Sequence, residues 1–300
     1  MHTPYTGRFA PSPTGALHFG SLVAALASYL EARAHGGYWL VRMEDLDPPR
    51  VEPGAADGIL RTLEAYGLRW DGPVLYQSTR TEAYQATLET LRREGLAYDC
   101  GCTRKEIRAA VEARGLGAVY PGTCRGGLPP GKAPRAVRLR VADREITFDD
   151  TVQGRFVQDL AAEVGDFVVR RADGLFAYQL AVVADDAEQG VTHVVRGADL
   201  LGSTPRQIFL QDCLGVATPE YAHVPLAATP QGHKLSKQTR ARALPEADPV
   251  PQLVAAFAFL GQPLPADGER MTTEAFWDWA RAVWDPDRIA PQERVAFSGS

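Results

Sequence analysis

Lysine is nearly absent from this chain: four lysines stand against 28 arginines in 300 residues. Cysteine is as scarce, and four cysteines at this length cannot form the disulfide framework of a small secreted domain. Three of the four fall within 25 positions, a spacing that favours a metal site over bridges. No uninterrupted apolar run reaches the roughly 18 residues of a membrane span. The start, Met1-His2-Thr3-Pro4-Tyr5, has no basic segment followed by an apolar one. A soluble, cytoplasmic protein without a membrane partner is expected. A net charge of −5 argues against a protein that coats nucleic acid nonspecifically, although it says nothing about local patches. There is no internal repeat.

What is present supports a globular fold. With 45% hydrophobic residues the chain can bury a substantial core, as one large domain with an insertion or as two modest domains. Arg8 to Pro11 reads as a short strand entering the Ser12-Pro13-Thr14-Gly15 turn, and Leu22 to Ala34 is a strong helix former stopped by Gly36-Gly37. Tyr38 to Arg42 is a second strand closing on Glu44-Asp45-Leu46-Asp47, with helical patterns over 54–66 and 79–94. Strand alternating with helix is the pattern of a parallel α/β sheet, whose ligands sit at the carboxyl ends of the strands. That topology brings Pro11 to Gly20 close to Glu44.

Thr103-Arg104-Lys105-Glu106 fits a capping box opening a helix to about Ala113. The Gly- and Pro-rich stretch to Gly131 then reads as an insertion between two halves of the sheet. Ten basic against three acidic residues between Cys100 and Arg144 could face a phosphate backbone or form a solvated surface. Strands are expected at Ala136–Val141, Gly154–Val157, Asp166–Arg170 and Val191–Arg196. A hairpin turn at Ala172-Asp173-Gly174 is expected to lead into a strand-like Leu175–Val183. Ser203-Thr204-Pro205 caps a helix reaching Cys213, which reads as core packing, and the region from Val250 onward is mostly helical in pattern.

Two segments suggest phosphate chemistry. Pro13-Thr14-Gly15-Ala16-Leu17-His18-Phe19-Gly20-Ser21 joins a strand to a helix, with glycine where a phosphate could approach the backbone and a histidine donor beside it; alone it is no more than a turn. Lys234-Leu235-Ser236-Lys237 places two of the four lysines three positions apart, as a loop needing mobile point charges would. Gly126 to Lys132 has the spacing of a phosphate-binding loop, but Ala133 lacks the required hydroxyl and Pro129-Pro130 remove two backbone donors. Cys100, Cys102 and Cys124 can meet on one Zn²⁺. No histidine lies between His35 and His193, so the residues leave the fourth ligand open among water, Asp99 and a more distant group.

Arg8-Phe9-Ala10-Pro11-Ser12-Pro13-Thr14-Gly15, Leu17-His18-Phe19-Gly20 and Lys234-Leu235-Ser236-Lys237 together resemble the glutamyl-type class I aminoacyl-tRNA synthetases. The resemblance continues through Val41 to Asp47, Gly165 to Val168, Asp173 to Ala181 and His193 to Gly197, and covers roughly residues 5–240. The two hallmark motifs of the family usually read His-Ile-Gly-His and Lys-Met-Ser-Lys-Ser; this chain departs at Phe19, Ser21, Leu235 and Gln238, and Ser21 removes one cationic donor.

The resemblance implies that Arg8, Ala10, Ser12, Glu44, Tyr178 and Arg196 hold glutamate, while His18, Gly20, Ser21, Lys234 and Lys237 serve Mg²⁺-ATP. The chemistry agrees: a guanidinium suits a carboxylate, and Glu44 can take the substrate ammonium. Only 62 residues follow Gln238, too few for the helical anticodon-binding domain of a full glutamyl synthetase. The chain therefore resembles the shortened branch that activates glutamate without tRNA and passes it to queuosine in the anticodon of tRNA(Asp). That branch points to Tyr120 as the fourth ligand of a structural Zn²⁺. The implied architecture is a Rossmann-like catalytic domain in two halves, 1–98 and 161–240, split by a basic zinc-binding insertion at 99–160 and followed by a helical region at 241–300, as a monomer.

Overall fold

A computed structural model describes residues 3–115, 117, 119–229, 242–265 and 270–297. Strand β1 (Thr6–Phe9) is buried along its whole length, as a central strand of a parallel sheet must be. The chain turns through Ser12–Gly15 into helix α1 (Phe19–Ala34) and returns as β2 (Tyr38–Met43), parallel to β1 with Thr6 opposite Tyr38 and Phe9 opposite Val41. Helix α2 (Ala55–Ala65) then leads to β3 (Leu75–Tyr76), parallel to β2. The expected α/β alternation is present.

Helix α3 (Thr81–Arg93) precedes a second unit. Strand β4 (Ala97–Cys100), helix α4 (Arg104–Arg114) and strand β5 (Ala136–Leu139) come first, with β4 antiparallel to β5. A hairpin of β6 (Glu145–Asp150) and β7 (Gly154–Asp159) follows, and the single-turn helix α5 (Leu160–Glu163) leads to β8 (Val168–Arg170) on the other edge of β5. The capping box of α4 is complete: Thr103 Oγ1 accepts from Glu106 N–H and the Glu106 carboxylate accepts from Thr103 N–H.

Leu175–Val183 departs from its expected strand conformation. The turn at Gly174 forms, and the chain makes a single bridge between Arg170 and Phe176, but helix α6 (Tyr178–Glu188) begins two residues later. Leu180, Ala181, Val182 and Val183 are all buried, so this stretch shows no polar face. A helical run buried at four consecutive positions has no periodicity to separate it from an interior strand. Strand β9 (His193–Gly197) then comes beside β1, where Thr192 N–H donates to Thr6 O at 2.9 Å. Helix α7 (Thr204–Leu214) follows, and β10 (Glu220–Val224) pairs parallel with β9.

Beyond β11 (Leu226–Ala228), helices α8 (Val250–Phe259) and α9 (Thr273–Val283) close over α1, and β12 (Arg294–Ala296) pairs parallel with β11. Helix α1 is apolar almost all round because the sheet covers one side and α8 and α9 cover another. One continuous apolar cluster runs from Phe9 and Trp39 through Leu22, Leu26 and Leu30 to Phe257, Phe276 and Trp277. A second lies between α3, α6, α7 and the β4–β5–β8 sheet, and half-buried Cys213 packs against its edge. No helix among the described residues is long and apolar enough to cross a membrane.

Candidate functional site

The carboxyl ends of β1 and β2 come together as the topology requires: Glu44 N–H donates to Pro11 O at 3.0 Å. Between them opens a cleft of about 650 Å³ whose walls include Ala10, Ser12, His18, Ser21, Glu44 and Tyr178, with Arg50, Asp199 and Leu200 around the rim. Six of the residues expected to bind substrates thus line one cavity. Gly20 sits in the first turn of α1, directly behind the N-cap, His18. The His18 ring takes an active part in that cap, because its Nδ1 accepts from Ser21 N–H at 3.4 Å. An accepting Nδ1 puts the ring hydrogen on Nε2, the donor required toward a phosphate at a helix N-terminus. Lys234 and Lys237 lie outside the described residues.

Arg8 and Arg196 stand behind the cleft and are buried, each held by partners that sequence inspection missed. Arg8 meets the Asp186 carboxylate through Nε at 3.1 Å and Nη2 at 3.4 Å. Asp186 also accepts from Arg42 Nη2 at 2.6 Å, and Arg42 is wholly buried. Arg42 Nε in turn lies 3.8 Å from Glu44 Oε1. Two guanidiniums and two carboxylates therefore form one buried cluster, as burial of charge demands. Its members respond unequally. The two arginines hold the Asp186 carboxyl below its ordinary value against the cost of burial, whereas burial outweighs them at Glu44 and lifts it to about 7. Glu44 Oε1 accepts no hydrogen bond, and the nearest cation is the Arg42 guanidinium at 3.8 Å.

Arg196 heads a second chain. Its Nη1 donates to the Tyr178 hydroxyl at 3.4 Å, Nη2 to Thr204 Oγ1 at 2.8 Å, and Nε to His223 Nε2 at 3.0 Å. His223 Nδ1 lies 2.5 Å from Asp150 Oδ2. Neither Asp150 nor His223 carries a local signal, since they belong to β6 and β10 and lie 73 positions apart. Arg42 and Asp186 likewise come from elements 144 positions apart.

The cysteine cluster is separate from the cleft. Cys102 Sγ lies 3.5 Å from Cys124 Sγ, and the Tyr120 hydroxyl lies 3.3 Å from Cys100 Sγ and 3.7 Å from Cys102 Sγ. Four ligands tetrahedral about Zn²⁺ place sulfurs about 3.8 Å apart and a sulfur about 3.5 Å from an oxygen. The donor set therefore fits that metal, and the three thiols alone form a group able to hold an ion. Burial pushes the Cys102 thiol up to about 11, so a cation is what would hold it as a thiolate. The Tyr120 oxygen accepts from Cys124 N–H at 3.1 Å, and the Arg138 guanidinium lies 3.7 Å over its ring. Arg138 is consequently interior, not part of a phosphate-facing surface. The glycine stretch ending at Lys132 is followed by extended chain and not by a helix, so it offers no phosphate-binding loop.

A parallel sheet with a histidine-capped helix at its ligand edge, two buried arginines, a buried carboxylate oxygen that accepts no hydrogen bond and a cysteine-bearing insertion define the catalytic domain of a class I aminoacyl-tRNA synthetase. The family of tRNA synthetases class I (E and Q), catalytic domain, matches residues 5–248. The chain belongs to that family, in its glutamyl-Q tRNA(Asp) synthetase branch. It is 59% identical to the glutamyl-Q tRNA(Asp) synthetase of Dechloromonas aromatica, with 98% of this chain and 99% of that protein covered. Identity to the protein of the same name from Burkholderia cenocepacia (strain J2315) is 60%, over 95% of this chain and 97% of the relative. Among solved structures, a glutamate tRNA ligase from Elizabethkingia meningosepticum in complex with its amino acid superposes with a TM-score of 0.83 at 30% identity. It matches 99% of this chain, which spans 67% of that longer protein.

Proposed function

We propose that this protein activates glutamate with ATP, without tRNA, and transfers it to queuosine in the anticodon of tRNA(Asp). The observation that carries the reading is the gathering of Glu44, Tyr178, Arg8 and Arg196 at the cleft that His18 caps. Arg8, Ala10, Ser12, Glu44, Tyr178 and Arg196 hold the amino acid. Glu44 takes the ammonium, and the guanidiniums face carboxylate. His18, Gly20 and Ser21 hold the phosphates of ATP, which enters with Mg²⁺, and Lys234 and Lys237 follow the pyrophosphate. One oxygen of glutamate's α-carboxylate attacks the α-phosphorus, the bond to the β-phosphate oxygen breaks, and pyrophosphate leaves with the electron pair. No side chain acts as nucleophile; positioning and charge neutralisation supply the rate.

A queuosine hydroxyl then takes the glutamyl group and AMP departs. The choice of this acceptor rests on 59–60% identity over nearly the whole length of relatives named for it. Residues 1–98 and 161–240 supply the groups that touch glutamate and ATP in the cytoplasm, with 241–300 as a helical support. The insertion at 99–160 is stabilised by Zn²⁺ on Cys100, Cys102, Cys124 and Tyr120, a closed structural site whose metal fixes the insertion and takes no part in the reaction. The decisive experiment is exchange of labelled pyrophosphate into ATP across a panel of amino acids without tRNA. Exchange with glutamate alone is expected, and its absence ends the proposal. Labelled glutamate should then attach to tRNA(Asp) only when queuosine is present. Label on the 3′ end of tRNA(Glu) would instead mean a conventional synthetase.

A further inference from the structure

We propose that Asp150 and His223 are positioning residues that orient Arg196 for substrate by fixing one tautomer of the His223 imidazole. The inference rests on the reading of Arg196 as a glutamate-binding group and extends it one layer inward. Asp150, His223, Arg196 and Thr204 are 3%, 0%, 5% and 0% exposed, so no water competes for their hydrogen bonds.

The argument turns on which nitrogen carries the hydrogen. Asp150 Oδ1 is saturated by three backbone N–H groups: Val152 at 3.1 Å, Gln153 at 2.8 Å and His223 itself at 3.0 Å. Three donors on one oxygen hold the carboxylate rigidly and leave Oδ2 to face His223 Nδ1 at 2.5 Å. An ionised carboxylate can only accept, so Nδ1 carries the hydrogen and Nε2 is left as an acceptor. That acceptor is what Arg196 Nε–H reaches at 3.0 Å; Thr204 Oγ1 also lies 3.1 Å from the same nitrogen, with its hydroxyl within 3.3 Å of Leu200 O as an alternative acceptor. With Nε held, the guanidinium plane is set and Nη1 is directed to Tyr178 at the cleft wall. The protonation states agree: Asp150 is held below its ordinary value by His223 and backbone donors despite its burial, and burial keeps His223 neutral.

Asp150→Asn is a nearly isosteric test with a definite sense. The three backbone donors retain the amide oxygen at the Oδ1 position, which places the NH₂ against His223 Nδ1. The imidazole must then accept at Nδ1 and carry hydrogen on Nε2, facing the Arg196 Nε–H donor to donor. In wild type, ¹⁵N spectra of labelled histidine should show the His223 hydrogen on Nδ1, and D150N should move it to Nε2. In the pyrophosphate exchange assay, D150N should raise the KM for the amino acid about tenfold or more while the KM for ATP stays within about twofold. His223→Gln keeps a carbonyl that can accept from Arg196 and should stay within about threefold of wild type; His223→Leu removes the acceptor and should match D150N. The proposal is overturned by a wild-type spectrum with hydrogen on Nε2, by an unchanged amino-acid KM in folded D150N, or by H223Q and H223L behaving alike. Exchange supported by an amino acid other than glutamate would sink the glutamate reading alone, since the tautomer and the ordering of the variants are still read out with whichever substrate is accepted.

Discussion

Glu44 has its charge set by two opposing effects, of which burial is the larger. Burial lifts its carboxyl to about 7 although Arg42, Arg8 and Arg196 all pull it down. The folded protein thus prefers the neutral form, and Glu44 contributes stability that is complete below its unfolded value of about 4.3 and is lost as pH rises through about 7. On the proposed assignment of Glu44 to the substrate ammonium, bound glutamate reverses this preference. Addition of glutamate should raise the Tm more at pH 8 than at pH 5.5, and the KM for glutamate should fall as pH rises through about 7. Glu44→Gln should flatten the fall of apo-protein Tm between those pH values, gain up to about 3 kcal/mol at pH 8 and raise the glutamate KM tenfold or more. Equal glutamate-induced Tm shifts at both pH values, in wild type and E44Q alike, would remove Glu44 from the ammonium site. Glu44 was legible in the sequence because it closes a strand next to a turn, but its charge state was not. That state depends on Asp186 and Arg42, whose pairing spans 144 positions and leaves no local pattern.

Elements were legible wherever their signal was local. The capping box of α4, the βα turn into α1 and the Thr204-Pro205 start of α7 each follow from two to four adjacent residues. Elements defined by what covers them were not: α6, whose Leu180 to Val183 are all buried, passed for a strand, and the three-residue β12 exists as a strand only through pairing with β11. The cysteine insertion depends on a neighbour of the same kind. Gly165, just after α5, has φ +69°, and a Cβ there would meet Val119 Cγ1 at 2.8 Å and Tyr120 N at 3.1 Å. Gly165→Ala therefore adds a left-handed backbone penalty of about 1–2 kcal/mol and displaces the residue whose hydroxyl completes the sulfur cluster. The expected results are a Tm lowered by several degrees and faster loss of bound zinc to a chelator, with glutamate-dependent exchange largely retained at low temperature. Unchanged zinc retention in folded G165A would show that α5 and the cysteine cluster are mechanically independent.

On the scale of the whole molecule, the C-terminal helices belong to the catalytic core and not to an appendage. The apolar cluster beneath β1 and β2 continues without a break through α1 into Phe257, Phe276 and Trp277, and Trp277 Nε1 donates to Tyr66 O at 2.8 Å. Phe276 is fully buried, with its ring 5.9 Å from that of Phe257 and edge-on to it. Replacing it with alanine removes a ring that no neighbour can replace, at a cost of about 3–5 kcal/mol. Because α8 and α9 brace the back of the helix that His18 caps, that loss should be cooperative. Urea unfolding of F276A should show the summed fluorescence of the five tryptophans, among them Trp39 on β2 and Trp277 and Trp279 on α9, collapsing at one midpoint shared with the far-ultraviolet circular dichroism. Pyrophosphate exchange should be lost over the same range. A tryptophan transition that runs ahead of the loss of exchange would instead mean that the helices dock on a catalytic unit able to stand without them, and the shared core would then be a contact between two folding units.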